Sequence, residues 1–516
     1  MRLLRQEART RLLAATALAG AVSALGGAAW AQQDSALPTA PAEAPAAPVD
    51  PRDAKIDALE AEVQQLAAEI QDLKASTAAG IKDVRASQTA ALSAQPQVGI
   101  TNARPQITSS DGNFKFALRS VVQFDAAHTN VSPLTTTNDV GSGTNLRRAR
   151  LGIDATAFKD WNFSLWGEFG GSGGEVAGLN QAYVEYAGLR PFSFADPIRF
   201  RVGAWATPAG LEDATANTEE LFLERAAVEE MIRGLDAGDG REGAGVFATG
   251  KRWYVSGVLT GKVAGVPATA VYDQQEGFLT RLAFNPLHGA DYDVHLGGTV
   301  QGVIKPADTA PGAPVGQSIT FAQQPELRVD SNSTKLVSTG AITASGMTAY
   351  GAETGASFRN FYTSGEWFKI DVDRTAVGAA PSPFNPSFSG WYVQGAWTLT
   401  GERHIWSSSN GGFRGIFQPK HNFDPAAGYW GAWEIAARYS VLDLNDDAGL
   451  AGHAAPLGGI RGGVQKITTV GVNWYPNPVL RFLVDYQTGN VDRLSATGGD
   501  AGEHLNAVSF RSQFAF

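Results

Sequence analysis

From about Asn113 to the last residue, apolar and polar side chains alternate with a period of two. Phe114, Phe116, Leu118, Val122 and Phe124 alternate with Lys115, Arg119, Gln123 and Asp125. Ala149, Leu151, Ile153, Ala155 and Ala157 alternate with Arg148, Arg150, Gly152, Asp154 and Thr156, and Ile198, Phe200, Val202 and Ala204 with Arg199, Arg201 and Gly203. The same rhythm returns at Trp161–Phe169, Tyr292–Gln301, Trp391–Thr400, Leu480–Gln487 and Val508–Phe516. Successive strand side chains point to opposite faces, so this period predicts strands with one apolar and one polar face. A soluble sandwich also has such strands. Here, however, the polar face carries many full charges, which a water-filled lumen tolerates and a packed core does not. Aromatics at strand ends (Trp161, Trp253, Tyr292, Trp391, Trp430 and Tyr475) match interfacial girdles, and the chain closes on the alternating Gln513-Phe514-Ala515-Phe516. The pattern therefore predicts an all-β, transmembrane antiparallel barrel over residues 113–516. At roughly ten residues per strand plus connections, about 16 strands fit, enough to enclose an aqueous channel. Lys305–Ser333 and Leu444–Gly463, rich in Pro, Gly, Ala and Asp, are expected as external loops.

Ahead of the barrel the pattern changes twice. Residues 1–31 carry a basic start, the apolar run Leu12–Gly27 and the small-x-small triplet Ala29-Trp30-Ala31, which predict a signal peptide cleaved before Gln32. The apolar run is short for a membrane helix. Residues 32–52 read as an Ala/Pro-rich linker. Over 53–76, Ile56, Leu59, Val63, Leu66, Ile70 and Leu73 recur at heptad spacing, predicting a short coiled-coil helix. β-branched residues at a with Leu at d favour two strands, though three heptads do not settle the number. Residues 77–112 read as a second linker.

Composition narrows the class further. Charged residues are 18 % of 516, Gly numbers 59, and aromatics make up 10 %, as expected where one face of each strand meets lipid. The absence of Cys excludes disulfides and thiolate metal sites. The net charge of −10, which becomes −13 without the four Arg and one Glu of residues 1–31, argues against nucleic acid as a partner.

Four strings carry a resemblance. RRARLGIDATAFKDWNFSLWGEFGG (147–171), the stretch from Gln181 to Ala226, GAWEIAARYSVLDLND (431–446) and GGVQKITTVGVNWYPNPVLRFLVDYQ (462–487) resemble the phosphate-selective porin family, porin O/P, in the family's order. The resemblance implies a 16-stranded outer-membrane porin for small solutes, a homotrimer, and a third loop folded inward to narrow the pore. It also implies that arginines on the lumen wall hand anions, phosphate among them, along the channel. The matching positions are Arg148, Arg150, Arg199, Arg201, Arg281, Arg438 and Arg481. A guanidinium offers a fixed fork of donors suited to oxyanions. The alternative is that these arginines pair with lumen acids such as Asp154, Glu168, Glu185, Glu434 and Asp485 and only stiffen the wall. At the expected constriction, Thr207–Arg225, the sequence departs from the family: Glu212, Asp213, Glu219, Glu220 and Glu224 face Arg225 alone, with no lysine. Phosphate selectivity does not follow from such a loop.

Other chemistry is thinly represented. Gly238–Gly243 matches a dinucleotide-loop spacing without the flanking strand and helix and reads as a turn. The seven His are scattered, without a metal-ligand spacing. No cofactor, metal or catalytic residue is expected. The sequence admits two other readings. One is a structural barrel whose helix tethers the outer membrane to the cell wall or a periplasmic partner. The other is an outer-membrane esterase around His295 and Asp293.

Overall fold

The computed structural model describes residues 50–101, 103–133, 139–171, 178–191, 196–265, 273–308, 317–378, 380–382, 384–416, 418–495 and 502–516. The expected signal peptide and most of the first linker lie outside them. The chain divides into two units, Met1–Ala86 and Ser87–Phe516.

In the first unit begins one helix, Pro51–Ala94, 44 residues long. This corrects the helix expected over 53–76, and with it the linker expected over 77–112. Ala-rich sequence after Leu73 has high helix propensity and lacks proline until Pro96, so nothing stops the helix where the clean heptads end. The remainder of that linker forms a hairpin, Gln97–Thr101 with Arg104–Thr108, whose second strand pairs with the start of the barrel. All six heptad residues are at least half exposed, Leu66 at 50 % and Leu73 at 68 %. Such an unpartnered apolar stripe is what a coiled-coil seam looks like in a single chain.

In the second unit sixteen antiparallel strands close into a barrel. They are Lys115–Ser132, Gly143–Ala157, Trp161–Glu168, Gly178–Leu189, Ile198–Trp205, Arg241–Gly250, Trp253–Val263 and Glu276–His288, then Tyr292–Lys305, Val337–Phe358, Phe361–Arg374, Ser387–Thr398, Ala432–Asp446, Ile460–Asn477, Leu480–Asp492 and Glu503–Ala515. Each pairs with its chain neighbours, and the last returns to the first through His504↔Ser132 to Ala515↔Val121, so no edge is left unpaired. The burial pattern is inverted relative to a soluble protein. In Leu480–Asp492, Val484 and Tyr486 are exposed, while Arg481, Asp485 and Gln487 are buried. The apolar face points outward and the charges point inward.

Most connections at the end bearing the first and last strand termini are short, such as Phe158–Asp160 and Arg359–Asn360, which marks that end as periplasmic. One departs from this rule: 399–431 joins Ser387–Thr398 to Ala432–Asp446 and carries its own hairpin, Ile405–Ser407 with Gly412–Arg414. At the other end, 206–240 and 306–336 are the longest connections. The second is not purely external as expected. It adds the strand Ser318–Gln323 beside Val337–Thr343, then turns Glu326 into the barrel.

Two local irregularities reset the alternation. Between Gln123 and Phe124 the register shifts, so Arg148 opposes Gln123 while Leu146 opposes Phe124, leaving Arg147 as the extra residue. Arg147 and Arg148 consequently both point inward. Gly203, at φ 138°, begins the turn of the chain into the third loop, so Ala204 is buried instead of facing lipid. Tyr475, expected in the girdle, likewise points inward, its hydroxyl donating to Glu434, while Trp474 takes the outer position stacked on Trp433 and Phe482.

Candidate functional site: the narrowed lumen

Three segments enter the barrel. The third loop, 206–240, crosses it with the short helix Leu211–Ala214 and the helix Ala227–Asp236. The second helix is amphipathic. Val228, Met231 and Ile232 pack on Phe368, Ile370, Phe388 and Leu442 of the wall, an apolar strip inside the barrel made for this face. Residues 323–330 of the fifth connection enter beside it, and Gln323 Nε2 donates to the carbonyl of Ala227. From the periplasmic end the 405–414 hairpin rises to meet the third loop. There Trp406 and Phe413 pack with Leu211, Leu221, Phe222 and Tyr362.

Charges hold these segments in place. Arg438 donates to Glu212 at 3.0 Å, to Glu326 at 2.5 Å and to the Glu224 carbonyl at 2.9 Å, so one side chain ties two inserted segments to the wall. Glu224 also accepts from Arg147 at 2.7 Å and from Arg511 at 2.9 Å, and Arg511 grips Asp125 at 2.7 Å. Burial works against ionising Glu224, but Arg147 and Arg511 hold its carboxyl well below the usual carboxylate range. Glu229 is the converse. Both its oxygens are buried without a partner, and burial, then the nearby Glu366 carboxylate, push it well above that range.

The hairpin is bound as tightly. His404 Nε2 lies 2.6 Å from Glu434, Arg403 is ion-paired with Asp293, and Arg414 with Glu219 at 2.8 Å. Arg281 donates to the carbonyls of Asn410 and Gly411, each at 2.7 Å, while pairing with Glu353. His295 lies between Glu353 at 3.2 Å and Trp406, whose indole N–H donates to Nδ1 at 3.0 Å. Both its ring nitrogens are engaged, which leaves no free base for the esterase reading. Among the described residues no group of three or more His, Asp or Glu is placed to hold a metal ion.

All seven predicted wall arginines face the interior, in three classes. Arg150 is paired with Glu168 at 2.5 Å and Asp239 at 2.6 Å; Arg281 and Arg438 are likewise neutralised. Arg148 instead donates to the Gln123 amide oxygen at 2.7 Å, and Arg481 to the carbonyls of Thr218 and Glu220; neither makes an ion pair. Arg199 and Arg201 share one carboxylate, Glu185, at 3.9 and 2.7 Å. Two acids expected at the constriction are compensated as well: Asp213 and Glu220 by Arg225, at 3.4 and 2.6 Å, and Asp213 by Arg233 at 2.7 Å. Arg147, Arg233, Glu326, Arg403 and Arg511 were not among the sequence candidates. Arg511 alone shows a signal, an inward-phase charge in a terminal alternating strand; Arg147 sits on a bulge, Arg233 on the helix of the third loop, and Glu326 and Arg403 in irregular segments.

A charged lumen narrowed by an inward third loop, inside a closed sixteen-strand wall, is the build of a diffusion channel. Comparison with known proteins gives the same answer. Residues 114–516 match the family model described as phosphate-selective porin O and P. Porin O of Pseudomonas aeruginosa is 24 % identical over 423 residues, covering 77 % of this chain and 87 % of that protein. An uncharacterized protein of Caulobacter vibrioides is 24 % identical over 434 residues, 80 % and 76 % of the respective chains. Among solved structures, OmpT of Vibrio cholerae superposes with a TM-score of 0.44 at 11 % identity, over 78 % of this chain and 98 % of its own. The anion-selective porin of Comamonas acidovorans does so at 0.41 and 12 %, over 78 % and 100 %. Since the family match spans the whole barrel, the chain belongs to the phosphate-selective porin O and P family and forms an outer-membrane channel for passive diffusion of small hydrophilic solutes.

Proposed function

We propose that this channel has a moderate anion preference set by the incompletely compensated wall arginines, without a phosphate filter at the third loop. The observation that carries this reading is the split among the seven arginines. Arg148 and Arg481 have no carboxylate partner, and Arg199 with Arg201 has one between two. A guanidinium bonded to neutral acceptors keeps its full charge for a passing anion, and several such sites spaced along the wall let it move without strong trapping. The third loop, by contrast, couples nearly every cation to an acid, so its narrow point has no positive excess to select phosphate. The reversal potential of purified protein in a KCl gradient tests this. Wild type should favour chloride, and Arg199→Ala with Arg201→Ala should shift the potential toward cations, since Glu185 is then left unpaired. An unchanged potential would assign the pair to wall stiffness.

We further infer that the working unit is a homotrimer, with the N-terminal helix as an accessory. The exposed heptad stripe of Pro51–Ala94 supports association of this segment between copies, and the barrel's closed pairing needs nothing from it. Deleting Gln32–Ala94 should leave a conducting oligomer. Its mass in detergent should be that of three barrels, and a monomer mass or loss of conductance would contradict the accessory role.

A further inference from the structure

We propose that the periplasmic mouth of the barrel contains a small-oxyanion site, built by Arg104 of the N-terminal hairpin together with Arg119 and Arg481 of the wall. It rests on the reading above that anions traverse this pore, and adds a specific stopping place at one end. The hairpin Gln97–Thr108 continues the barrel wall beyond Lys115, and its turn, with Ala103 at φ 62°, brings Ala103 and Arg104 to a cavity of about 70 Å³. That is room for several waters or one small oxyanion, and too little for a sugar or peptide. Its other walls are the bottom of the third loop, Thr218 and Glu219, and Ile416 of the re-entrant segment.

The donors in this cavity are unsatisfied. The Nε atoms of Arg104, Arg119 and Arg481 are all buried without a hydrogen-bond partner. Arg119 spends one amino group on Asp154 at 2.7 Å, and Arg481 spends two on backbone carbonyls. The Arg104 side chain makes no hydrogen bond or ion pair with another described residue. Around it stand Arg119 and Arg414 against Asp154 and Glu219, and each of those acids already has its own arginine. Arg481 is faced by Glu434 and Asp485, so Arg104 is the cation of this group left without an acid of its own. Burial, then the like charge of Arg119, lower the pKa of the Arg104 guanidinium, a half-buried cation whose inner Nε has no partner. Buried donors left unpaired are costly, and an oxyanion with several acceptor atoms satisfies them together. The shared chemistry is that of phosphate and of carboxylates.

Calorimetric titration of the full-length protein in detergent with inorganic phosphate, and separately with acetate, tests the site without requiring conduction. Wild type should bind one anion per protomer, with phosphate and acetate competing. Arg104→Ala should weaken binding about tenfold, the loss of a charge-assisted hydrogen-bond pair. Arg104→Lys, which keeps the charge but not the fork, should fall between. Arg104 lies on a hairpin outside the closed ring of strands, so these variants retain the barrel. No binding by wild type, or equal binding by Arg104→Ala, overturns the proposal. The reversal potential of wild type reads the wall arginines independently, so a cation-favouring potential with Arg104-dependent binding overturns the permeation reading alone.

Discussion

Joining Leu399 to Trp433 through a two-residue Asn-Gly turn, and so removing the periplasmic hairpin, should raise single-channel conductance severalfold. The two strand ends are already in register for it: Thr398 pairs with Glu434, and the Leu399 N–H donates to the Trp433 carbonyl. A tight turn there is the ordinary connection at this end of a barrel. The excision takes away Trp406 and Phe413, which fill the lumen beneath the third loop, and Arg403 and Arg414 with them. Asp293 keeps Asn285 and His288 as partners, and Glu434 keeps Asn473 and Tyr475, so the wall tolerates the loss. Arg281 loses two carbonyl acceptors and gains access to water, which should move selectivity further toward anions. Planar-bilayer recording checks both effects. A conductance step equal to that of the full chain would place the hairpin outside the permeation path.

Arg438→Met is the point substitution with the largest expected cost. It leaves Glu212 and Glu326 facing each other across a buried gap with no cation between them, in a protein where both are almost fully enclosed. Removing one partner of a buried ion pair typically costs about 3–5 kcal/mol, most of it from the stranded charge. That penalty falls on the docking of the third and fifth connections more than on the strands, whose hydrogen-bond ladder is intact. The expected result is a channel with frequent conductance transitions and increased protease cleavage within 206–240, while heat-resistant barrel structure persists. Adding Glu212→Gln and Glu326→Gln should restore quiet conductance, since the stranded charges are then gone. If the triple variant is as noisy as the single one, Arg438 acts through packing on Phe222 instead of through charge.

How far the sequence revealed this architecture depends on the periodicity of each segment. Strands such as Leu480–Asp492 were legible because lipid outside and water inside impose an unbroken period of two. Arg147 was not, because a single register shift at Gln123 turns it inward, and such a shift leaves no mark in composition. The helix Ala227–Asp236 hides for another reason: its apolar face is short and matches a strip of wall, Phe368 to Leu442, that is formed only once distant strands are adjacent. The same holds for the re-entrant hairpin, whose residues read as ordinary loop until Asp293, His295 and Glu353 are seen beneath them. The acids of the third loop were plain in the sequence, but their partners, Arg233, Arg511 and Arg147, lay outside any local window.

The Arg511 triad also implies an order of events during assembly. Arg511 belongs to the final strand, Asp125 to the first, and Glu224 to the third loop. These groups are nearly 400 residues apart along the chain at their extremes, so the contact cannot form early; loop-closure entropy must first be met by strand pairing. The third loop therefore gains one of its firmest anchors only when the last strand meets the first. A barrel that has not yet sealed holds its constriction loosely, and the finished pore dimension becomes a mark of completed closure.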